Sequence, residues 1–570
     1  MSVVEGRTAV KSTRKAAVLR PTQRAALHRT LRSVFGLEQL RGGQEAVIAN
    51  VMERRPTLAI MPTGAGKSLC YQLPALALPG RTVVVSPLIS LMKDQVDKLT
   101  QAGTHAVAVN SALSAADLAG ALHSVKENEA DFVFTTPERL CDPEFIELLQ
   151  GHPIDLLVID EAHCISQWGH DFRPAFLEVG AAHRTLGSPP VLALTTTANQ
   201  RVIEDIGKQL GIDLEVITTS VYRENLQFRV RRTTTEEERL ARAVEYVKKA
   251  EGSGIVYTAT VKAAELLNEA LRAAGESSAL YHGRLGAARR HEEQDAFMEG
   301  TCRVMVATNA FGLGIDKSDI RFVLHFQLPP GLDAYYQEAG RAGRDGKRAD
   351  CTLLFLHQDR RLRQFLQAGR YPTAGDVLAV LCALRESERL QAPMTVKRLA
   401  DSLPVPLTKV QVALQLLKEG GIVRQSRHRE LHLSPGGVDD DTVRRWADEY
   451  RGRDERDRAA LERMVFYGQT GFCRWKVLLE HFGEGEGFDK CGRCDNCVSA
   501  PLRRLTPPRR RTTTVRPPRP RTPYRPGDYA LVQRYGLGRV ITASESSVTL
   551  EFPDGTRRDF VPQFVRRAEE

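Results

Sequence analysis

Short apolar runs alternate with amphipathic segments through the first two thirds of the chain. One series of runs lies at 82–85, 131–134, 156–159 and 191–194, and a second lies at 254–257, 303–306, 322–326 and 351–355. The segments between them have helical periodicity. Strands that alternate with helices predict parallel sheets. The pattern therefore predicts two α/β lobes, at 21–220 and 221–370.

The last third of the chain has a different pattern. Helical periodicity at 377–390, 396–403 and 407–417 precedes two short strand-like runs, at 422–424 and 429–433. This order is typical of a helix-turn-helix with a β-wing. Arg424, Arg427, His428 and Arg429 place positive charge on the wing. We expect this segment to contact DNA, and a helical packing module is the alternative.

The predicted organisation has seven parts. They are a disordered basic N-terminus (1–20), the two lobes (21–220 and 221–370), a winged-helix-like segment (371–440), a helical cysteine-bearing module (441–500), a Pro/Arg-rich linker (501–526) and a small five-stranded β-barrel (527–570). The linker cannot bury a core because it lacks apolar residues at any regular spacing. The barrel is predicted from short strands between Gly turns.

Length, net charge and the distribution of apolar residues limit the classes of protein to which the chain can belong. The chain has 570 residues, which is too long for one core, and a formal net charge of +10. Residues 501–526 contain nine arginines and no acid, so the excess charge is concentrated there and suggests a polyanionic or acidic partner. No apolar run reaches the length of a membrane span, and the N-terminus lacks a signal core, which favours a cytoplasmic location.

A Gly-rich segment with a lysine follows the strand-like run at 57–61. Backbone N–H groups of such a turn converge on phosphate oxygens. Lys67 is expected to reach the β- and γ-phosphates, and the Ser68 hydroxyl to hold Mg²⁺. Met61 stands where the usual phosphate-loop pattern has its first Gly. The predicted nucleotide contacts are Thr63, Gly64, Ala65, Gly66, Lys67 and Ser68.

A second motif follows another apolar run, at 154–159. It reads Asp160-Glu161-Ala-His163. Carboxylates at the carboxyl end of a parallel strand lie where α/β sheets bind ligands. Asp160 is the predicted Mg²⁺ ligand, and Glu161 is predicted to polarise the attacking water. A solvated helix start is the alternative, but it does not explain the pairing with Lys67.

Further blocks resemble superfamily-two helicases in content and order. They are 35–44, 86–95, 136–139, 195–198, 307–317 and 335–346. The resemblance implies that Arg41 and Gln44 read adenine, that His163 belongs to the catalytic box, and that Gly314 and Asp316 contact the nucleotide. It also implies that Arg341 and Arg344 reach across from the second lobe. Arg344 is the favoured arginine finger, with Arg341 as the other candidate, and a finger is worth roughly 10³–10⁵ in rate.

The segment after the acidic motif resembles the aromatic-rich loop of RecQ-family DNA helicases. Its predicted DNA contacts are Gln167, Trp168, His170, Phe172 and Arg173. Aromatic faces stack on bases at roughly 1–3 kcal/mol each. A loop that follows the catalytic box directly can report bound DNA to the hydrolytic site. The alternative is that Trp168 and Phe172 belong to the core.

Four of the ten cysteines cluster in sequence: Cys473, Cys491, Cys494 and Cys497. Interlaced C-x-x-C spacings with a fourth thiolate from a helix predict a tetrahedral zinc site, and a [4Fe–4S] cluster is the alternative. The module resembles the RecQ zinc module, although here the winged-helix-like segment precedes the cysteines and no helical HRDC-like domain follows. We expect loss of the metal to unfold the module before it affects Lys67.

The resemblance as a whole implies a RecQ-type DNA helicase that depends on ATP and Mg²⁺ and carries structural Zn²⁺. It implies 3′ to 5′ movement on single-stranded DNA, duplex unwinding, a role in recombination and repair, and a location at the nucleoid. An RNA helicase and an ATP-switched nucleic-acid-binding scaffold are the alternatives. The terminal barrel resembles the Tudor-like barrel of UvrD/PcrA helicases, which implies a protein partner such as RNA polymerase or a repair factor.

Overall fold

The architecture is taken from a computed structural model of the full chain. The structure describes residues 10–12, 17–166, 174–311, 317–368, 372–391, 394–425, 430–434, 440–498, 524–532, 535–544 and 547–568. No helix in these ranges is long and apolar enough to cross a membrane.

The first lobe is an eight-stranded sheet with helices on both faces. Its elements are β1 (Val10–Ser12), α1 (Pro21–Phe35), α2 (Gln44–Met52), β2 (Thr57–Ile60), α3 (Leu69–Ala75), β3 (Arg81–Val85), α4 (Ile89–Gln101), β4 (Ala106–Val109), α5 (Ala115–Lys126), β5 (Phe132–Thr135), α6 (Pro137–Leu140), α7 (Pro143–Gln150), β6 (Ile154–Ile159), short 3₁₀ turns at Ala162–Ile165 and Pro174–Glu178, α8 (Val179–Thr185), β7 (Val191–Thr195), α9 (Gln200–Leu210) and β8 (Glu215–Thr219).

The strand order of this sheet places the predicted motifs together. The order is β1-β8-β2-β7-β6-β3-β5-β4, and every pair except β1–β8 is parallel. Strands β2 and β6 flank β7, so the segments that follow these three strands emerge at one carboxyl edge. Successive residues of a strand, such as Leu58 and Ala59, pack into different hydrophobic clusters on opposite faces of the sheet. Both faces of the sheet are therefore buried.

The N-terminal segment is more ordered than predicted. Val10–Ser12 pairs antiparallel with β8 at the sheet edge. Ala17 and Leu19 are buried with Leu27 of α1. The prediction that 1–20 is disordered is therefore wrong for these residues, because the edge strand β8 offers unpaired backbone groups and α1 offers an apolar face.

The second lobe is an all-parallel six-stranded sheet in the order β11-β12-β10-β13-β14-β9. Its elements are β9 (Leu226–Thr233), α10 (Glu236–Lys249), β10 (Ser253–Tyr257), α11 (Val261–Ala273), β11 (Ser278–Tyr281), α12 (Ala287–Glu299), β12 (Val304–Ala307), β13 (Ile320–His325), α13 (Leu332–Ala339), β14 (Ala349–Leu356) and α14 (Asp359–Ala368). The prediction of two parallel-sheet lobes is confirmed.

A helical segment with a hairpin follows the second lobe. It contains α15 (Ala374–Arg389), α16 (Val396–Ser402), α17 (Leu407–Glu419), β15 (Val423–Gln425) and β16 (Leu431–Leu433). The two strands pair antiparallel. Lys409 of α17 forms an ion pair with Asp376 of α15, N–O 3.1 Å. The element order matches the predicted winged helix, and its contact with DNA stays a prediction.

The cysteine-bearing module packs directly on the second lobe. It consists of α18 (Asp440–Gln469), α19 (Arg474–His481) and α20 (Asp495–Val498). Trp475 lies among rings of the lobe, 4.9 Å from Tyr222 and 5.0 Å from Phe228 between ring centroids. Its Nε1 donates to the carbonyl of Leu226 at 3.2 Å. The module and one face of the second sheet therefore share one hydrophobic core.

The chain ends in a five-stranded antiparallel sheet. Its elements are β17 (Tyr529–Val532), β18 (Gly536–Ala543), β19 (Val548–Glu551), β20 (Arg557–Phe560), a 3₁₀ turn at Pro562–Phe564 and β21 (Arg566–Arg567), in the order β20-β19-β18-β17-β21. The strand number agrees with the prediction, whereas closure into a barrel stays a prediction. Tyr524 is buried in this unit, so the unit begins before the predicted boundary at 527.

Candidate active site between the lobes

The loop after β2 has the strand–loop–helix setting that a phosphate loop requires. Gly64 and Gly66 have φ of +83° and +78°, a region that L side chains rarely adopt. A Cβ on Gly66 would lie 2.6 Å from the Gln44 Nε2 atom. The backbone turn therefore requires glycine at both positions, and the Gln44 side chain leaves no room for a Cβ on Gly66.

The predicted adenine block contacts the phosphate loop. Gln44 accepts from the backbone N–H of Arg41 at 2.7 Å and donates to the carbonyls of Ala65 and Gly66 at 3.0 and 2.9 Å. Arg41 donates to the carbonyl of Gly64. Both side chains line the cleft between the lobes, and their contacts link the segment at 35–44 to the loop. Their role in reading adenine stays a prediction.

Lys67 and the acidic motif meet at the carboxyl edge of the sheet. Burial lowers the pKa of Lys67, and the charges of Glu161 and Asp160 oppose that shift. Burial, followed by the negative charge of Glu161, raises the pKa of Asp160 to about 7. The Ser86 hydroxyl donates to Asp160 at 3.4 Å. A divalent cation bound here would restore the ionised form of Asp160, so the carboxylate fits the predicted role of metal ligand.

His163 connects the acidic motif to the block at 195–198. The Thr195 hydroxyl donates to the carbonyl of Thr197 at 3.1 Å, so it accepts from His163 Nδ1, also at 3.1 Å. The same Nδ1 lies 3.4 Å from Glu161 Oε2. Glu161 has φ of +50°, a backbone conformation that residues other than glycine rarely adopt. Thr195 is the last residue of β7, so a movement of β7 would displace His163, which lies beside Glu161.

Both predicted arginines lie on the turn that follows α13, rather than on the helix itself. The cleft has a volume of about 590 Å³ and is lined by Lys67, Asp160 and Glu161 from the first lobe and by Arg341 and Arg344 from the second. The charge of Arg344 acts on Lys67. Arg341 is 5% exposed, and within the described ranges its Nε has no hydrogen-bond acceptor. The two lobes thus contribute to one cleft.

Several predicted site residues lie outside the described residues. They are Gln167, Trp168, His170, Phe172, Arg173, Gly314 and Asp316, together with Arg427, His428 and Arg429 of the wing. Their predicted roles stay predictions. Arg424 is described, and it is exposed in the middle of β15, opposite His432 of β16.

The four predicted cysteines form one cluster. Their sulfur atoms all lie within 4.8 Å of one another, and the Cys473–Cys494 and Cys491–Cys497 pairs are 3.9 Å apart. Four sulfurs at about 2.3 Å from a tetrahedral Zn²⁺ have nearly this spacing. Hydrogen bonds from Cys491 and Cys494 lower the pKa of Cys473. The geometry fits a structural zinc ion.

Sequence reasoning missed the residues that connect the lobes around this site. Arg223 and Asn225 donate to carbonyls of the turn that carries Arg341 and Arg344. Glu484 of the cysteine module accepts from the backbone N–H of Val221. No short motif marks these residues, because their partners are backbone groups far away in sequence.

The phosphate loop, the acidic strand end and the two arginines around one cleft define a two-lobe, nucleotide-dependent helicase motor. Family profiles match the chain at 41–206 (DEAD/DEAH box helicase), 237–346 (helicase conserved C-terminal domain) and 438–498 (RecQ zinc-binding). The ATP-dependent DNA helicase RecQ of Bacillus subtilis is 40% identical over 479 residues, which cover 83% of this chain and 67% of that protein. The chain belongs to the RecQ family of helicases.

Further comparisons agree with this assignment. The Synechocystis ATP-dependent DNA helicase RecQ is 33% identical over 494 residues, covering 83% of this chain and 98% of that protein. Among solved structures, the DUF1998 helicase MrfA bound to DNA has a TM-score of 0.52 at 18% identity, covering 76% of this chain and 62% of that one. The helicase Lhr of Mycobacterium smegmatis has a TM-score of 0.51 at 19% identity, covering 78% and 62%. These two structures support the fold alone.

Proposed function

We propose that this chain is an ATP- and Mg²⁺-dependent DNA helicase that moves 3′ to 5′ on single-stranded DNA and unwinds duplexes during recombination and repair. The observation that carries the proposal is the single cleft in which Lys67, Asp160 and Glu161 face Arg341 and Arg344. The RecQ relatives are ATP-dependent DNA helicases, which supports DNA as the substrate.

Each residue of the cleft has a role that its position allows. Lys67 would bind the β- and γ-phosphates, and Ser68 and Asp160 would hold Mg²⁺. Glu161 would orient and polarise the attacking water, because within the described residues its buried Oε2 has no hydrogen-bond partner and is available to the water. Arg344, supported by Arg341, would stabilise the charge that develops on the γ-phosphate. Arg41 and Gln44 would select adenine at the far side of the loop.

Asp160 and Ser68 would hold a Mg²⁺ ion, and its positive charge would stabilise the ionised phosphates and the Asp160 carboxylate. The protein supplies the rest of the electrostatic environment, because Lys67 and both arginines are cations placed around the same space. The raised pKa of Asp160 supports a cation at this carboxylate.

The C-terminal sheet would bind a protein partner such as RNA polymerase or a repair factor. The resemblance to the Tudor-like barrel supports this proposal. So does the apolar pair Leu531 and Leu537, which are each 45% exposed and lie directly opposite each other on β17 and β18. A chromosomal DNA substrate would place the protein at the nucleoid.

Steady-state ATP hydrolysis tests the proposal. We expect single-stranded DNA to stimulate hydrolysis and RNA of equal length to stimulate it much less. Lys67→Ala is the control and should remove turnover with either polymer. Equal stimulation by RNA would favour the RNA helicase alternative, and tight ATP binding without turnover would favour the ATP-switched scaffold.

A further inference from the structure

The segment that connects the two lobes runs between β8 and β9, through residues 220–225. It passes directly beside the nucleotide cleft. Arg223 Nη1 would lie 3.5 Å from a Cβ placed on Gly64 of the phosphate loop. A connector between two lobes need do no more than act as a hinge. In this connector, however, the side chains of Arg223 and Asn225 make six hydrogen bonds to backbone carbonyls.

Arg223 bonds to both lobes with one guanidinium group. Its Nη1 donates to the carbonyl of Thr63 in the phosphate loop at 3.2 Å and to the carbonyl of Gly340 at 2.6 Å. Its Nη2 donates to the carbonyls of Ala342 and Gly343 at 2.8 and 2.6 Å. Three of its four acceptors belong to the turn that carries Arg341 and Arg344. The planar fork of arginine suits such divergent acceptors, whereas lysine offers a point charge.

Asn225 fixes the same turn from a second direction. Its Nδ2 donates to the carbonyls of Gly343 and Lys347 at 2.8 and 2.9 Å. Gly343 has φ of +58°, and a Cβ there would lie 2.5 Å from Asn225 Nδ2. The turn thus approaches the connector too closely for any larger residue at position 343.

The turn that carries the arginines is held in two ways. Within the second lobe, the Gly343 N–H donates to the carbonyl of Ile320 at 2.9 Å and Asp345 forms an ion pair with Arg321. Arg223 adds the hydrogen bond that links the turn to the phosphate loop.

The turn follows the end of α13 and precedes β14, so neither a helix nor a sheet ladder holds its carbonyls. Gly340 packs against Thr63, and a Cβ on it would lie 2.9 Å from Thr63 Cβ. The shared contact of Arg223 with Thr63 and Gly340 exists only when the two lobes are this close.

The connector is itself held in place on its outer side. The backbone N–H of Val221 donates to both carboxylate oxygens of Glu484 at 3.1 Å. The Tyr336 hydroxyl donates to the carbonyl of Val221 at 2.6 Å. Arg493 forms an ion pair with Glu224, N–O 2.6 Å. Arg223 and Asn225 therefore project from a rigid base.

We propose that Arg223 and Asn225 are positioning residues that place the arginine-finger turn against the phosphate loop when the lobes close. Neither acts on the substrate. Arg223 donates hydrogen bonds to the carbonyls of Gly340, Ala342 and Gly343. It thereby fixes the turn from which the Arg344 side chain projects. The proposal rests on the proposed function, because it assigns these two residues to the same ATP hydrolysis.

Coupling between substitutions tests this proposal. Misplacing a catalytic group by about 1 Å costs up to roughly 100-fold in rate, so Arg223→Ala should lower DNA-stimulated kcat by about 10- to 100-fold. It should leave KM for ATP nearly unchanged, because the lost contacts act in the transition state. In an Arg344→Ala background the same substitution should lower kcat by less than about 2-fold, because its effect is transmitted through Arg344. Arg223→Lys should recover little of the loss.

Arg303→Ala is the matched control. Arg303 also donates to backbone carbonyls of the second lobe, those of Val247, Ala250 and Gly252, but it lies away from the cleft. It should lower thermal stability and leave kcat unchanged below the unfolding transition. Asn225→Ala, which keeps Arg223, should lower kcat about 3- to 10-fold by the same displacement of the turn, and it replaces Arg223→Ala if that variant does not fold.

The outcomes separate this proposal from the proposed function. If wild type turns over no ATP with DNA, the proposed function fails. If wild type and Arg344→Ala behave as proposed but Arg223→Ala keeps the wild-type kcat, the positioning role is wrong. Equal fold-losses from Arg223→Ala in the wild-type and Arg344→Ala backgrounds would also overturn it, because independent sites are additive.

Discussion

Glu161 and Asp160 are neighbours in sequence, but their side chains have different surroundings. Asp160 is partly buried and accepts a hydrogen bond from the Ser86 hydroxyl, and burial together with the charge of Glu161 raises its pKa to about 7. Glu161 instead points at His163. This difference supports a division of work, in which Asp160 holds a metal and Glu161 activates water.

Glu161→Gln tests the role of the water-activating carboxylate. An amide keeps the size of the side chain, but it cannot take a proton from the attacking water. We expect kcat for ATP hydrolysis to fall by about 10²–10⁴-fold, the usual range for loss of a general base, with ATP affinity retained. Single-turnover hydrolysis and nucleotide-binding measurements check this. Glu144→Gln, at an exposed position on α7, should behave like wild type, and a kcat for Glu161→Gln within a few-fold of wild type would contradict the assignment.

Trp168→Ala tests the predicted coupling of DNA to hydrolysis. The predicted role of Trp168 is to stack on a base, and loss of one stacked ring weakens binding by roughly 1–3 kcal/mol. We expect ATP binding and basal hydrolysis to stay intact, and DNA stimulation of hydrolysis to disappear. The ratio of kcat with and without saturating DNA is the measurement. Full stimulation in this variant would refute the coupling role.

At the scale of elements, the sequence predicted those with strong periodicity or a motif. Strand β6 was predicted at its observed residues, 154–159, because it is a continuous apolar run that ends in acids. Strand β9 was missed because its apolar residues, Leu226, Phe228 and Val230, alternate with polar ones and so form no continuous apolar run. This strand lies at the sheet edge, where it pairs with β14 alone, and the order of strands in a sheet is not visible in a single sequence.

The sequence predicted those residues of the candidate site that belong to motifs. It did not reveal the residues whose side chains bond to backbone carbonyls. Lys67, Glu161 and Arg344 were found because phosphate, water and charge stabilisation require particular side chains at fixed positions in a motif. Arg223 and Asn225 escaped detection because any carbonyl can accept from them. Which carbonyls are near depends on the closed arrangement of two lobes, and that arrangement is a tertiary property.

The cysteine module and the second lobe share one hydrophobic core. This shared core revises the expectation that loss of the metal unfolds the module before it affects the motor. Trp475, Cys473 and Cys494 are buried together with Phe228 and Tyr335 of the lobe. The module therefore cannot unfold without exposing one face of the β9–β14 sheet. Zinc loss should destabilise the motor as well as the module.

Cys494→Ser tests this linkage. Structural zinc is worth about 10–16 kcal/mol in small zinc modules, and a loss of even about 4 kcal/mol corresponds to roughly 8–16 °C for a unit of 150–250 residues. We expect the midpoint of thermal unfolding to drop by at least that range and ATP turnover to be lost in the same transition. Cys382→Ser, at an exposed position on α15, should match wild type. An ATPase that stays active through unfolding of the module would show that the two units are independent.

At the scale of the whole molecule, α18 connects the peripheral parts to the motor. Its 30 residues span about 45 Å. It packs against α15 of the winged-helix-like segment and α14 of the second lobe. At its C-terminal end, the carbonyl of Gln469 accepts from Arg558 of the terminal sheet and from Arg232 of β9. This end of the helix therefore joins three parts of the chain.

Arg558→Ala tests the docking of the terminal sheet. The Arg558 guanidinium donates to the carbonyl of Gln469 at the end of α18, and such a partly buried hydrogen bond from a charged donor is worth about 1–2 kcal/mol. Amide hydrogen exchange at 466–472 should become about 5- to 30-fold faster. Arg557→Ala removes a neighbouring arginine whose partner, Glu551, lies within the sheet, and should leave that exchange unchanged. Unchanged exchange in both variants would contradict the docking role of Arg558.

The central claim is that nucleotide turnover between the two lobes drives unwinding of DNA, and strand displacement tests it most directly. Duplexes with a 3′ or a 5′ single-stranded tail are incubated with the full chain, ATP and Mg²⁺, with Lys67→Ala as the control. The account predicts displacement of the 3′-tailed duplex by wild type, little displacement of the 5′-tailed duplex, and none by Lys67→Ala. ATP turnover with no displacement of either DNA duplex, or displacement that persists in Lys67→Ala, would contradict it.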